Sequence, residues 1–596
     1  MSNFGGKVAT SKNNNVKQQQ NANASTKQEK PSDLEVEIKP DHAFGLYTNS
    51  TQYGHPGYIR DTLGYLAESK VVHPVGQKAA MYQLDKHRMD FFELNPNVKN
   101  ILGMAIATNR KRVAFCEQGK VVEGKAPHGQ VSVYHAIQGV HLRTLTFPNM
   151  KGEFISVCFT KDTKFLIALG SAPENLLVYW KWSNMKLIAH TKLPSGATRV
   201  RVNPADASMI TTSGPEHLKL WRLEKDLSLK SVALLPGKTE TKTHFVDHAW
   251  MRSKGLLLAL TSDGNCYVFE VDNQNVEIVQ SMKIQYNTET HHRFETIETF
   301  KKGFVASGTG ADLGGYMCVY EHTDDRKEPF MLIKYFYTQE PHLTIANLAI
   351  SPLDEQVGMF VQPTNQFMTF PLVNIDTLDS NKDKVFNDMR IQGFHTGKIL
   401  DIDICTSKPW VVTCGADQCV KVWSFQSTRS VTEKSSWECK VTHKAENDEP
   451  YCVAFHPSGL QVLVGFKDNV QIYNVLNNRL DEARPTRLNL KNSKLIRFAP
   501  GGQYFAVSFG ISIEVYNSYT FELVKTLMGH IRRVRSLTWF DNSFLYTSGE
   551  DGSIYGWDIG LGKKVDETTV QKCVFSGIAS DRQRPIVCAR VFNFFI

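Results

Sequence analysis

Residues 528–563 read MGHIRRVRSLTWFDNSFLYTSGEDGSIYGWDIGLGK, and residues 394–428 read FHTGKILDIDICTSKPWVVTCGADQCVKVWSFQST. The two stretches are copies of one pattern. Each opens on a histidine (His530, His395) and passes through an alternating apolar segment and a turn into a strand of small residues. An aspartate follows at a tight turn (Asp551, Asp417), six residues ahead of a tryptophan (Trp557, Trp423). Alternation with a period of two marks half-buried strands, and the short polar breaks between them are hairpin turns. The aspartate can accept a hydrogen bond from the histidine and so tie the incoming loop to the turn, while the tryptophan fills space between neighbouring sheets.

This is the WD40 pattern, in which a repeat of about 40–45 residues supplies the four strands of one β-propeller blade. Weaker copies fill most of the remaining chain at similar spacing. SVCFTKDTKFLIALGSAPENLLVYWKW (residues 156–182), RVRVNPADASMITTSGPEHLKLWRL (199–223) and DHAWMRSKGLLLALTSDGNCYVFEV (247–271) repeat the order strand, turn, strand, turn, strand. So do residues 347–372, 452–476 and 496–518, with fainter versions at 63–84, near 103–137 and at 303–320. The fold class expected is therefore all-β, as tandem WD40 propellers of about eleven to twelve blades.

A propeller closes with four to eight blades, so this number requires two rings. The seam falls near Gln392, where degenerate copies give way to the clean one at His395. The expected organisation is an Asn/Gln/Lys-rich disordered tail over 1–40, a first ring over 41–392 and a second over 393–596. The second ring is expected to be incomplete at its C-terminal end, because residues 573–590 supply only the first two strands of a fifth blade. An open ring leaves strand edges that proteins ordinarily protect. A partner, a small closed ring or a longer product would each resolve that.

Composition agrees with a large β-rich chain, at 596 residues, 41% hydrophobic and 11% aromatic. No apolar run reaches the roughly 18 residues of a spanning helix, and the N-terminal tail lacks the apolar core of a secretory signal. Eleven cysteines, an odd number without a CxxC, are expected as buried reduced thiols. The net charge of +8 is modest for this length. Basic clusters stand at Arg110, Lys111 and Arg112 and at Arg532, Arg533 and Arg535. The second is the candidate partner-binding site, on a loop that would meet an acidic protein such as tubulin. No aromatic-interleaved motif supports nucleic acid, and no membrane contact is expected.

Candidate chemistry resolves into scaffold. His244 and His248 have the spacing of a zinc motif but lack its glutamate and lie on a strand rather than a helix. The glycines at 308, 310 and 314 miss the dinucleotide fingerprint by one residue and sit between strands. His395, Asp417, His530 and Asp551 recur at equivalent blade positions, which marks them, with Trp423 and Trp557, as structural. No catalytic, cofactor or metal residue is assigned, and no enzyme activity is expected.

The strand PENLLVYWKW at 173–182, the blade segment HPSGLQVLVGFKD at 456–468, and Gly529-His530 with Arg535-Ser536 are similar to the ciliary WD-repeat family of cilia- and flagella-associated protein 57. The resemblance extends over about 63–569 in the same blade order. It implies a non-catalytic protein of the axoneme in the cilium or flagellum, with tandem propellers followed by coiled coils, helping to anchor inner dynein arms on doublet microtubules. The coiled-coil region is not in this sequence. Partners implied are the inner-arm dynein base, tubulin or a full-length paralogue. The alternative is a soluble WD40 adaptor in a non-ciliary cytoplasmic complex.

Overall fold

The computed structural model describes residues 40 and 42–44, and then 61–592 with internal interruptions, among them 120–128, 376–393 and 427–435. The tail expected over 1–40, but for residue 40 itself, and the seam at Gln392 lie outside the described residues. Within them the chain forms ten four-stranded sheets, one three-stranded and one two-stranded sheet, every pairing antiparallel and between strands consecutive in sequence. We number them in chain order: sheets 1 to 7 occupy 64–91, 98–145, 154–192, 199–233, 245–283, 293–337 and 344–371. Sheets 8 to 12 occupy 399–444, 452–488, 496–528, 534–569 and 574–592. The all-β propeller architecture read from the sequence is what the chain adopts.

Each sheet is a meander because most of its connections are turns of two to six residues, the longest being nine, and antiparallel neighbours need no more. Both faces of a middle strand are covered, so these strands are built from apolar or small residues throughout. Leu166–Gly170, Met209–Gly214 and Leu256–Thr261 are buried at every position. Burying one such Val, Leu or Ile stabilises the fold by about 1.5–3 kcal/mol.

The core is divided into layers, each between two successive sheets. Sheet 2 meets sheet 3 around Val133, Phe154 and Trp180, and sheet 5 meets sheet 6 around Leu258, Phe294 and Tyr316. Sheet 7 then packs on sheet 1 through Phe360, Phe367, Tyr65 and Tyr82, and Asn347 Nδ2 donates to Thr62 Oγ1 at 3.2 Å. Sheets 1 to 7 thus form a closed cycle. Sheets 8 to 11 are layered in the same way, with Val422 against Val453 and Val515 against Trp557. Sheet 12 lies on sheet 11, where Ser580 Oγ donates to the Trp539 carbonyl at 3.1 Å.

The two series meet at an aromatic cluster. Phe44 lies 4.9 Å from Trp423 and 5.4 Å from Trp437 between ring centroids, and Phe394 lies 5.4 Å from Tyr82. His395 N donates to the Phe44 carbonyl at 2.9 Å. Residues ahead of the first sheet are thereby held against sheet 8.

Candidate functional site

The two clear repeats build the same four-residue network. Trp423 Nε1 donates to Thr413 Oγ1 at 2.9 Å, and His395 Nε2 lies 2.7 Å from that hydroxyl. His395 Nδ1 is 3.0 Å from Asp417, which also accepts from Thr396 N at 3.0 Å. In sheet 11, Trp557 donates to Thr547 at 2.9 Å, His530 Nε2 lies 2.9 Å from Thr547, and His530 Nδ1 is 2.9 Å from Asp551. The chemistry of the groups sets the protons. Indole is a donor only, so the threonine accepts from it, and its own O–H is free to donate to Nε2 while Nδ1–H donates to the carboxylate. Burial holds His530 below its ordinary pKa, and Asp551 is held down, against its own burial, by the bond from His530.

Thr413 and Thr547 were not singled out from the sequence, and neither were Gly415 and Gly549. A Cβ at Gly549 would stand 2.6 Å from both Asp551 Oδ1 and His530 Nδ1, and one at Gly415 would stand 2.6 Å from Asp417 Oδ1. The shared TSG and TCG tripeptides carried that signal. The tryptophans divide in role. Trp557 fills the layer between sheets 10 and 11, whereas Trp423 faces the aromatic cluster with Phe44.

Two polar hubs cross the inner strands. Arg199, with a side chain 1% exposed, reaches Asp61 at 2.5 Å and also pairs with Asp247. Arg201 pairs with Glu298 and lies 3.4 Å from Asp61. Ser156 and Thr296 bond to the same aspartates, so five of the seven sheets converge on the hub, Asp61 belonging to the entry to sheet 1. Burial by itself would raise the Asp61 pKa, but the charges of Arg199 and Arg201 outweigh it and hold the group at about 2. Asp61, Arg201 and Glu298 of the hub line a cavity of about 590 Å³ together with Arg110, Lys161 and Arg252. In the second series Arg497 reaches Asp401 at 3.0 Å, and Asp401 and Asp403 accept from Val453 N and Phe455 N.

The other sequence candidates separate. His244 is exposed, while His248 is buried with Nδ1 2.7 Å from Ser213 Oγ. Among the described residues no group of three metal-ligating side chains converges. Gly308 and Gly310 lie in the strand Gly303–Gly310, and residues 311–313 fall outside the described residues. Arg110 donates to the Tyr65 carbonyl, and Arg112 lies 6.0 Å from the Trp182 ring. The described cysteines are free thiols. Of the arginine loop, Arg532 and Arg535 are exposed and Arg533 half-buried, with Arg535 paired to Glu550.

Consecutive four-stranded sheets with His, Asp, Thr and Trp networks define a WD-repeat β-propeller protein. The family model described as WD domain, G-beta repeat matches residues 389–424 and 521–558, the two clear copies. The chain is 23% identical over 610 residues to cilia- and flagella-associated protein 57 of Mus musculus, covering 92% of this chain and 45% of that relative. Cilia- and flagella-associated protein 57 C of Tetrahymena thermophila is 22% identical over 88% of this chain and 45% of its own length. Echinoderm microtubule-associated protein-like 1 of Rattus norvegicus is 23% identical over 85% of this chain and 58% of its own. The resemblance to the WD-repeat family of cilia- and flagella-associated protein 57 is borne out, and the chain spans less than half the length of the relatives of that name.

Proposed function

We propose that this chain is a non-catalytic structural scaffold of the ciliary axoneme, helping to anchor or organise inner dynein arms on doublet microtubules through contacts made by its propellers. In this reading residues 41–392 and 393–596 are two rings that hold separate partners at a fixed distance. The observation that carries it is the similarity over 92% of the chain to a cilia- and flagella-associated protein, together with similarity to microtubule-associated relatives. The site chemistry points the same way. The histidines and aspartates are used up in blade-closing hydrogen bonds, and rigid sheets presenting loops suit binding rather than turnover.

The loop with Arg532, Arg533 and Arg535 is the proposed partner contact. Arg535 is already engaged by Glu550, which leaves Arg532 and Arg533 as the side chains offered outward. Loss of the gene is expected to deplete a subset of inner dynein arms from isolated axonemes, read by quantitative mass spectrometry. An unchanged dynein complement would reject the anchoring role.

A further inference from the structure

Among the described residues, the loops and turns at one end of sheets 8 to 11 are more basic than the equivalent loops of sheets 1 to 7. This end is where an outer strand leads into the next inner strand and where the two middle strands turn. It carries Lys467, Lys491, Lys494, Arg532, Arg533 and Lys572, all exposed except the half-buried Arg533. Their loops interlock. Asn492 N donates to the Lys467 carbonyl at 2.7 Å, Glu550 N to the Arg533 carbonyl at 2.9 Å, and Val570 N to the Gly552 carbonyl at 2.8 Å. Among the described residues none of these six side chains forms an ion pair. The acids nearby are Asp448, Glu449, Asp468 and Glu550, the last held by Arg535, with Asp417 and Asp551 tied to His395 and His530.

At the other end of the same sheets the signs alternate: Arg479 pairs with Asp481, Lys563 stands opposite Asp558, and Glu522 and Asp541 are exposed. Among the described residues of the first series, the loops corresponding to the basic end carry Glu93, Glu153, Glu174, Glu216 and Asp263 against Lys151. Among the described residues the excess of basic side chains therefore lies at one end of the second series.

An apolar tip lies within it. Ile531 is 83% exposed and Ile511 54% exposed, and the hydrogen bond from Val534 N to the Gly510 carbonyl, 2.8 Å, sets their loops side by side. Two exposed isoleucines flanked by unpaired arginines are poorly explained as a merely solvated loop. A patch that is neutral in shape and rich in one sign gathers partners of the opposite sign, and the apolar tip adds a non-electrostatic anchor.

We infer that this face docks an extended acidic polypeptide segment that carries a large apolar side chain among its Asp and Glu residues. The carboxylates lie along the lysines and arginines, and the apolar side chain covers Ile511 and Ile531. The inference rests on the partner-contact reading above and assigns that contact its ligand chemistry.

The test uses the full chain and a fluorescent Glu-rich peptide with one central Phe, followed by anisotropy. Arg532→Glu with Arg533→Glu is expected to weaken binding about tenfold, as rim charges act through unscreened attraction. Ile531→Ser is expected to weaken it several-fold, as is replacing the peptide's Phe by Ala, because each removes apolar burial. Raising the salt should weaken the wild type, since the Debye length falls well below 10 Å. Lys525→Glu with Lys563→Glu, at the other end of the same sheets, should leave binding unchanged. Equal loss from both pairs of reversals would overturn the proposal, as would no loss from the first. Tighter binding of a single-stranded RNA or of phosphatidylserine vesicles than of the peptide, lost through the same reversal, would also overturn it. Peptide binding by a chain that the axoneme does not retain would sink the scaffold reading and leave this face standing.

Discussion

Sheets 1 to 7 and sheets 8 to 12 solve the same packing problem in different ways. The second series has the clear signature, with two complete His, Asp, Thr and Trp networks. The first has none among its described residues, only fragments. Trp221 donates to Thr212 at 2.9 Å, with His217 Nε2 2.7 Å from that hydroxyl, and Trp250 donates to Thr211 at 2.9 Å. Yet it is the first series that closes, sheet 7 upon sheet 1, around a guanidinium almost wholly removed from solvent. Arg497, its counterpart in the second series, has a side chain 29% exposed. Motif clarity and closure are therefore separate properties. A closed cycle fixes each sheet from both sides and tolerates loss of the turn-closing network, whereas sheets in a less enclosed series depend on it more.

The sharpest way to break this comparison is to remove the hubs. Arg199→Leu leaves the buried Asp247 without its ion pair, and Asp61 and Glu298 with Arg201 alone, and is expected to cost about 3–5 kcal/mol, the usual penalty for an uncompensated buried charge. Arg497→Leu removes a more solvated pair and is expected to cost about 1.5–3 kcal/mol. Chemical denaturation monitored by tryptophan fluorescence reads both. Equal losses would mean that closure adds nothing to the value of the first hub.

Acid should separate the series next. Asp61 has a folded pKa of about 2 against an ordinary value of 3.8, so its charge stabilises the fold fully above pH 4, and that contribution is lost as the pH falls through about 2. The size is about 2.5 kcal/mol. A stability profile between pH 5 and 2 should flatten in Asp61→Asn, and an unchanged slope would show that the arginines do not act on this group.

Within the second series, Thr547→Val or Thr413→Val leaves an indole N–H and an imidazole nitrogen without their common partner. A loss of about 1–3 kcal/mol is expected for each. Thr212→Val in the first series should cost less, because no aspartate completes that network. The smallest effect on stability belongs to the loop: Arg532→Glu with Arg533→Glu should stay within about 0.5 kcal/mol of wild type, as surface changes do.

Much of this was legible in the sequence. The spacing of His530, Asp551 and Trp557 and its copy at His395 gave the blade, and the apolar alternation elsewhere gave the number of sheets. Thr413 and Thr547 were hidden because a threonine in a strand is ordinary for its β propensity, and its hydroxyl matters only when three side chains meet it. The Arg199 hub was invisible for a deeper reason. Asp61, Arg199, Asp247 and Glu298 are far apart in sequence and meet only when the ring closes, so no local pattern announces them. Exposure divided the loop arginines likewise, since the pairing of Arg535 with Glu550 depends on how two turns lie together.

The central claim is tested most directly by tagging the protein at its own locus and comparing cell bodies with demembranated, salt-washed axonemes on one blot. The scaffold reading predicts that the wild type stays with the axoneme and that Arg532→Glu with Arg533→Glu, equally stable, shifts toward the soluble fraction. A wild-type protein found wholly in the soluble cell-body fraction would contradict the account and favour a cytoplasmic adaptor.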